Sequence, residues 1–460
     1  MFNSGESIPS TSRAGGMREV LHTSWPIVVS MLSYTAMGVS DTLFVGWIGK
    51  TELAGVGLAT MAIYLVNSLF LGTLHGARVL VAQAHGAGDR QQTLDAAMSA
   101  VGVAIPFGLF VIALSSVDQE IFGLMGGSAA VQSLASDYFR IRVLAAPFWY
   151  VTVALCDFYQ GTGDTRTPMK VNLMANAANI VLDLVMIFGF GPIPALGVKG
   201  AAWATVAASA LGMVMVGARF LRRDARRPRW RPAILRKIVR LGIPIGVRYG
   251  LNTVGFTVFT SMLARMGEDE LAAHQIGVKI ISVSFLPGYG IGEAASVLVG
   301  QYMGAGRRDL ARRALLNSIK LSVAVMVSMG VVFWLFPETL YRLFVDEPEV
   351  LAIGRELMFI AAIFQVFDAV AMTTVGGLNG AGDTRFTMLA SIAANWFVLV
   401  PVAWTFGVAL EMGAAGTWLG LLAEVVALSA VTMLRFYRGA WEGKAVVAVP
   451  DGAEASGVAA

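Results

Sequence analysis

WPIVVSMLSYTAMGVSDTLFVG, residues 25–46, is a membrane-length apolar stretch that contains a single acid, Asp41. A carboxylate in hydrocarbon costs about 2.5–3.5 kcal/mol on insertion scales, so such a group faces a protein interior or a water-filled cavity. Pro26 stands near the start of the stretch, and a proline inside a helix removes one backbone donor and permits a bend. The stretch therefore predicts a membrane helix with a buried ionisable group and with Pro26 as its hinge.

The composition of the whole chain is that of an integral membrane protein. Of its 460 residues, 56% are hydrophobic and only 14% are charged, whereas a soluble domain carries about a quarter charged residues. Apolar runs of about 20 residues recur along the chain, which favours helices over the alternating ten-residue strands of a barrel. The single cysteine, Cys156, excludes an intramolecular disulfide.

Twelve membrane spans are predicted, six on each side of a basic linker at 222–237. The fold class is therefore all-α, with an N-terminal lobe at 18–221 and a C-terminal lobe at 238–437. Residues 1–17 are expected to form a disordered cytoplasmic tail, and residues 438–460 a cytoplasmic tail whose last ten residues are expected to be disordered. The predicted spans are 21–47, 53–82, 94–117, 132–160, 168–189, 200–221, 238–264, 270–302, 313–336, 350–378, 387–409 and 413–435.

The basic residues indicate the orientation. Lys and Arg concentrate in the tails, the linker and the even-numbered connections, which places both termini in the cytoplasm. The net charge of +4 then reflects topology and anionic headgroups, and we expect no nucleic acid partner.

The two halves of the chain repeat one another. VAQAHGAGDR at 81–90 matches VGQYMGAGRR at 299–308, and GTGDTRTPM at 161–169 matches GAGDTRFTM at 380–388, at offsets of 218 and 219. Because six spans is an even number, the two copies share one orientation and form a parallel repeat, with a cavity predicted between the lobes. We read GxGDTR as a structural turn whose Asp and Arg pair or cap helix ends.

Five segments, in this order and spacing, resemble the multidrug and toxin extrusion (MATE) family, and within it the DinF-like branch. Two of them overlap the repeated segments quoted above. The five segments are SDTLFVGWIGKTELAGVGLA, VAQAHGAGD, QGTGDTRTPM, NIVLDLVMIFG and GVKGAAWAT. The resemblance covers about residues 18–437. It implies a secondary multidrug exporter that uses no cofactor and exchanges external H+ or Na+ for organic, mostly cationic compounds.

The same resemblance, together with residue spacing, gives the candidate site. Asp41 is similar to the family's first-helix acid, Asn179 and Asp183 to its ion-linked pair, and Thr205 to its sixth-helix threonine. Asn179 and Asp183 stand i, i+4 on one helix face, and with Asp41 and Thr205 they offer the oxygen ligands of a Na+ site or the members of a proton relay. Val398 and Val402 occupy the equivalent places of Asn179 and Asp183 in the second repeat, and Phe259 that of Asp41, so coupling is expected in the N-terminal lobe.

A weaker set of residues is expected to line the substrate cavity. Tyr34 and Met37 share a helix face with Asp41, and methionine and aromatic surfaces adapt to different organic cations. Asp368 is similar to a tenth-helix acid of the NorM-like branch, although Asn252 stands where that branch has a seventh-helix Glu. The expected cavity residues are Tyr34, Met37, Phe158, Met174 and Asp368.

Some expectations concern the remaining features. PGYGIG at 287–292 is expected to break the eighth span, and Asp137, Arg140 and Arg142 to form a solvated ion-pair cluster. The alternatives to an exporter are a lipid or lipid-linked oligosaccharide flippase, a membrane-embedded enzyme and a passive channel. The four histidines lack ligand-like spacing, which disfavours an enzyme. A monomer is expected, since one chain can form its own cavity.

Overall fold

A computed structural model describes residues 14–192, 194–223 and 230–448. Most of this part of the chain is helical. The helices are α1 (Met17–Ile48), α2 (Lys50–Gly86), α3 (Arg90–Ala113), α4 (Asp118–Met125), α5 (Ala129–Arg142), α6 (Ala146–Gly161), α7 (Arg166–Phe188), α8 (Val198–Arg223), α9 (Pro232–Ala264), α10 (Glu268–Gly304), α11 (Arg308–Leu335), α12 (Pro337–Tyr341), α13 (Pro348–Ala381), α14 (Thr384–Ala394), α15 (Val400–Ala403) and α16 (Gly413–Tyr437).

The helices match the twelve predicted spans closely. Eleven helical stretches in the described residues have the length and apolar composition needed to cross a membrane. Their ends lie within a few residues of the predicted ones, and the fourth is α5 and α6 joined by a 3₁₀ turn at Val143–Ala145. α9, which is 33 residues long, supplies the twelfth span, although it does not reach the same apolar composition.

Contacts divide the chain into two units. The N unit is Val29–Gly246, and the C unit is the chain up to Val28 together with everything from Val247 onward. α1 and α9, the first helices of the two repeats, are each divided between the units. The lobe boundaries at 221 and 238 therefore differ from the division made by contacts, and they remain a proposal about the repeat.

Glycines hold the first part of α9 within the N unit. A Cβ on Gly72 would lie 2.5 Å from the Cα of Gly246, and one on Gly76 would lie 2.6 Å from the backbone nitrogen of Gly242. Such distances leave no room for a side chain, so α2 and α9 pack backbone to backbone. The C unit makes the repeat-equivalent contact between Gly290 of α10 and Val28 of α1.

The predicted break in the eighth span is wrong, because α10 runs without interruption through residues 287–292. The glycines of this segment serve packing instead. A Cβ on Gly292 would lie 3.0 Å from the carbonyl oxygen of Met372 on α13, and Gly288 is covered by the Met326 side chain of α11. Pro287 is accommodated inside the helix.

Both GDTR segments form the structural turns that were predicted. Asp164 accepts hydrogen bonds from the backbone nitrogen and the hydroxyl of Thr167 at 3.1 and 2.6 Å, which caps the start of α7. It also pairs with Arg219 at 3.1 Å, and its repeat equivalent Asp383 pairs with Arg435 at 2.9 Å. The arginine partners thus come from α8 and α16 rather than from the motif.

The predicted tails and linker are described only in part. Residues 1–13, 224–229 and 449–460 lie outside the described residues. In the described remainder, Trp441 is fully buried in a hydrophobic cluster of the C unit that also contains Ala14 and Val20. At the end of the linker, Arg231 pairs with Asp95 of α3 at 3.0 Å.

Candidate functional site

The N unit brings together the four residues expected to couple ion binding to transport. Asp41 comes from α1, Asn179 and Asp183 from successive turns of α7, and Thr205 from α8. One end of the Asn179 amide lies 3.1 Å from Oδ1 of Asp41 and 3.2 Å from Oδ2 of Asp183. The other end lies 3.5 Å from the hydroxyl of Thr205. The spacing predicted from the sequence therefore produces one cluster.

The two carboxyl groups of this cluster lie 3.1 and 3.2 Å from the same end of the Asn179 amide, and they are therefore close to each other. A hydrogen bond between two carboxyl groups requires that one of them carries a proton, because two carboxylates have no hydrogen to share. Asn179 and Asp183 have no solvent exposure. The cluster is therefore suited to hold one proton away from bulk water.

The donor set also fits a monovalent cation. With its nitrogen toward the acids, Asn179 donates to both of them. Turned over, the amide presents its oxygen beside two carboxyl groups. Asp183 Oδ1 is buried and has no hydrogen-bond partner among the described residues. Hard oxygen ligands of this kind suit Na+ as well as a proton.

Tyr138 and Arg142 complete the surroundings of the acid pair, and sequence reasoning missed their role. The two side chains are hydrogen-bonded to each other. The positive charge of Arg142 acts on Asp41, and the negative charge of Asp41 acts on the Tyr138 hydroxyl. Their i, i+4 spacing on the fourth span is the signal that could have found them. Arg142 stands at the end of α5, where the 3₁₀ turn begins.

Two of the three residues that were expected to form ion pairs near the end of α5, Asp137 and Arg140, do so. Arg140 pairs with Asp118 at 2.7 Å, and Asp137 pairs with Lys199 at 3.1 Å. Arg142 is in none of the ion pairs found among the described residues, and its positive charge acts on Asp41 instead.

The expected cavity residues lie in different surroundings. Met37 is buried, whereas Tyr34 and Met174 are about half exposed. Phe158 is packed between the rings of Tyr159 and Phe220, with centroids 5.0 and 5.3 Å away. Pro26 lies inside α1, two residues before the division between the units.

A second acidic cluster lies in the C unit. Asp368 of α13 is buried and acts electrostatically with Glu424 of α16. Glu424 accepts a hydrogen bond from the Asn395 amide at 3.2 Å. Asn395 is the first residue of a π-helical turn at Asn395–Leu399. Sequence reasoning missed Glu424, although it is the only acid in the apolar stretch at 413–437.

A family model described as MatE matches residues 26–185 and, a second time, residues 244–405. The chain belongs to the MatE family. The two matches begin at Pro26 and Pro244, so this MatE protein carries the family unit twice, at the offset found in its sequence. The parallel repeat of two six-helix halves is thereby confirmed.

Relatives and a solved structure cover nearly the whole MatE chain. Two proteins named "Probable multidrug resistance protein NorM" are 30% identical to it. The Thermotoga maritima protein aligns over 438 residues, 94% of each chain, and the Deinococcus radiodurans protein over 444 residues, 95% of this chain and 98% of the relative. A solved structure described as the outward-facing conformation of a multidrug resistance MATE family transporter shares the fold. Its TM-score is 0.85 at 21% identity, over 94% of this chain and 97% of that one. The relatives bear the NorM name, and the DinF-like branch stays a prediction.

Proposed function

We propose that this MatE protein is a secondary active multidrug exporter, which moves organic, mostly cationic compounds outward in exchange for inward H+ or Na+. The relatives named as multidrug resistance proteins support the transport function. The observation that supports the coupling mechanism is the position of Asp41 and Asp183 at 3.1 and 3.2 Å from one end of the Asn179 amide inside the N unit. Membership of a transporter family, rather than of an enzyme family, agrees with the absence of an enzymatic role expected from the sequence.

The coupling ion, H+ or Na+, and the organic cation compete for the negative charge of the acid pair. With both acids ionised, the N unit holds two negative charges that attract an organic cation. A proton that enters from outside neutralises one of them and allows a hydrogen bond between the acids to form, whereas Na+ would be held between the two carboxylates. An ion can drive transport only by binding one conformation more tightly than another, and this bond exists only in the neutralised state.

Pro26 is the proposed hinge of the conformational change. It lies two residues before the point where α1 passes from the C unit to the N unit, so a bend there moves the segment that bears Asp41. Movement of that segment changes the shape of the proposed substrate cavity beside Met37 and Tyr34. Met174, Phe158 and Asp368 are the further proposed cavity residues.

The environment and assembly follow from the same reasoning. The protein crosses a membrane several times. We place it in the cytoplasmic membrane of a prokaryote, with both termini in the cytoplasm, as a monomer without a nucleic acid partner. A flippase is not favoured, because the relatives are named for multidrug resistance.

Uptake of the organic cation ethidium into proteoliposomes tests this function. The purified protein is studied under an imposed pH gradient, an imposed Na+ gradient, and neither. Accumulation driven by one gradient supports antiport and identifies the ion. Equal uptake in liposomes with and without protein under every gradient contradicts the proposal.

A further inference from the structure

A buried histidine, acid and arginine lie between α2 and α6 of the N unit, apart from the acid pair. His75 Nδ1 is 2.8 Å from Oδ2 of Asp157, and Arg78 is 3.5 Å from Oδ1 of the same carboxylate. Arg78 also donates to Gln160 at 2.9 Å. The side chains of His75, Asp157 and Arg78 are only 14%, 3% and 7% exposed. We call these three residues the His75 cluster.

The geometry prepares His75 to accept a proton. When Nδ1–H donates to a carboxylate, the neutral ring keeps its basic lone pair on Nε2. The Arg78–Asp157 pair is neutral overall, so the cluster carries no net charge until Nε2 is protonated. Nε2 is therefore the ring atom that is available to accept a proton.

The second repeat carries different residues at the equivalent positions. At the offsets of 218 and 219, Glu293 stands in place of His75 and Gly376 in place of Asp157. A Cβ on Gly376 would clash with the carbonyl oxygen of Gly292, so the C unit joins the same helices by glycine packing. The His75 cluster is thus a feature of the half that also holds Asp41 and Asp183.

Polar groups connect the acid pair to the cluster along one seam. α2 and the fourth span run side by side in the same direction. Tyr138 faces both acids of the pair, and Tyr150 donates to Asn67 at 2.6 Å. His75 and Asp157 follow eight and seven residues later on the same two helices. At 1.5 Å per residue, the step from Tyr138 to Tyr150 is about 18 Å and the step on to His75 and Asp157 is about 10–12 Å, so the transfer requires water along the seam.

We propose that His75 is the proton-transfer residue on the cytoplasmic side of the N unit, which passes the proton of the acid pair to the cytoplasm. This inference rests on the proposed function and assigns H+ as the coupling ion. The O–H bond of the acid pair breaks and an N–H bond forms at Nε2 of His75, with water carrying the proton between them. That N–H bond then breaks, and the proton passes to cytoplasmic water. Histidine and carboxylate chains serve as proton relays in other membrane transporters.

The groups around His75 define what its titration depends on. Arg78 comes from its own helix and Asp157 from α6, with the Cys156 thiol beside Asp157. α9 presents Gly242 and Gly246 to α2. Among the described contacts, Asp157 and Arg78 are therefore the charged groups next to the ring.

His75→Gln is the decisive variant, because the glutamine amide can still donate to Asp157 but cannot carry the proton. His85→Gln is its matched control, an exposed histidine on the same helix. Ethidium transport is measured in proteoliposomes as gradient-free counterflow at equal pH and as uptake driven by a pH gradient, with the cytoplasmic-side pH varied from 6 to 8.

For His75→Gln we expect counterflow within about twofold of the wild type, and driven uptake lowered about tenfold or more, since a positioned proton carrier contributes about 10²–10⁴-fold. The driven rate should also lose its dependence on cytoplasmic-side pH. Unchanged driven uptake overturns the proposal. So does a parallel loss of both activities with an unchanged pH profile, which marks a structural role. If the wild type itself transports no ethidium under any gradient, the proposed function fails instead.

A measurement on the wild-type protein covers the case in which the variant does not fold. The chain has four histidines, so the spectrum of ¹⁵N-histidine-labelled protein is simple, and replacing the other three one at a time by Gln assigns His75 by elimination. At pH 8 we expect the tautomer protonated at Nδ1, because Nδ1 lies 2.8 Å from the Asp157 carboxylate. A ring protonated at Nε2 alone overturns the proposal, because it leaves no free nitrogen to accept the proton.

Discussion

Asp41→Asn should uncouple transport while leaving the protein folded. In the proposed mechanism, the carboxyl groups of Asp41 and Asp183, which lie 3.1 and 3.2 Å from the Asn179 amide, share one proton. Exchange of this proton for a monovalent organic cation moves no net charge, so the pH gradient alone sets the accumulation of the cation. One pH unit is worth about 1.4 kcal/mol, which corresponds to about tenfold accumulation, and two units to about a hundredfold. The amide has the volume of the acid but cannot bind and release the proton, so the accumulation ratio of the variant should be about one.

The assay is the steady-state ratio of ethidium inside and outside proteoliposomes at imposed gradients of zero, one and two pH units. Asp137→Asn is the matched control, since it removes a half-exposed carboxylate of the same unit that pairs with Lys199 at 3.1 Å. Such a surface pair contributes about 1 kcal/mol or less to stability. A tenfold ratio per pH unit in Asp41→Asn would refute the reasoning. If Na+ drives the wild type, the same ratios apply per tenfold Na+ gradient, and the His75 proposal falls while the role of Asp41 stands.

Three further predictions concern packing and the second acidic cluster. Gly76→Ala should destabilise the protein by about 1–3 kcal/mol, as overpacking does, because its Cβ would lie 2.6 Å from the α9 backbone. In contrast, Gly57→Ala on the same helix meets nothing within 4 Å and should leave the melting temperature unchanged or higher. Asp368→Asn should weaken ethidium binding, seen as a raised KM, yet keep the accumulation ratio per pH unit; a changed ratio would make Asp368 part of the coupling. Trp441→Ala should lower stability by about 3–5 kcal/mol since the side chain is fully buried, whereas Trp334→Ala, at an exposed position, should shift the melting temperature much less.

The spans and the acid pair could be predicted because their signals are local. Uninterrupted apolar length marks a membrane helix, and the i, i+4 spacing places Asn179 and Asp183 on one face. The approach of Asp41 to them required more, because α1 and α7 are far apart in the chain. The family resemblance supplied that link, and the structure places the three side chains together.

What could not be predicted depends on which helices become neighbours. Arg142 belongs by sequence with Arg140 and Asp137, yet its positive charge acts on Asp41. The glycines at 287–292 have the composition of a break, but close neighbours on α11 and α13 make them packing positions in a continuous helix. A glycine gives the same local signal in both cases, and only the neighbouring helix decides between them.

The division of α1 and α9 between the units has a consequence for making half of this protein alone. A fragment that ends in the linker would retain the start of α1, with Val20 buried only against second-repeat helices. It would lack the start of α9, whose Ile238 is fully buried in the N unit. Each half would thus expose one helical segment without its packing partners, and one surface that the missing segment covers in the whole chain. Two identical halves could bury these surfaces by exchanging the two segments, as domain-swapped dimers do. A chain of half this length is therefore expected to form a homodimer.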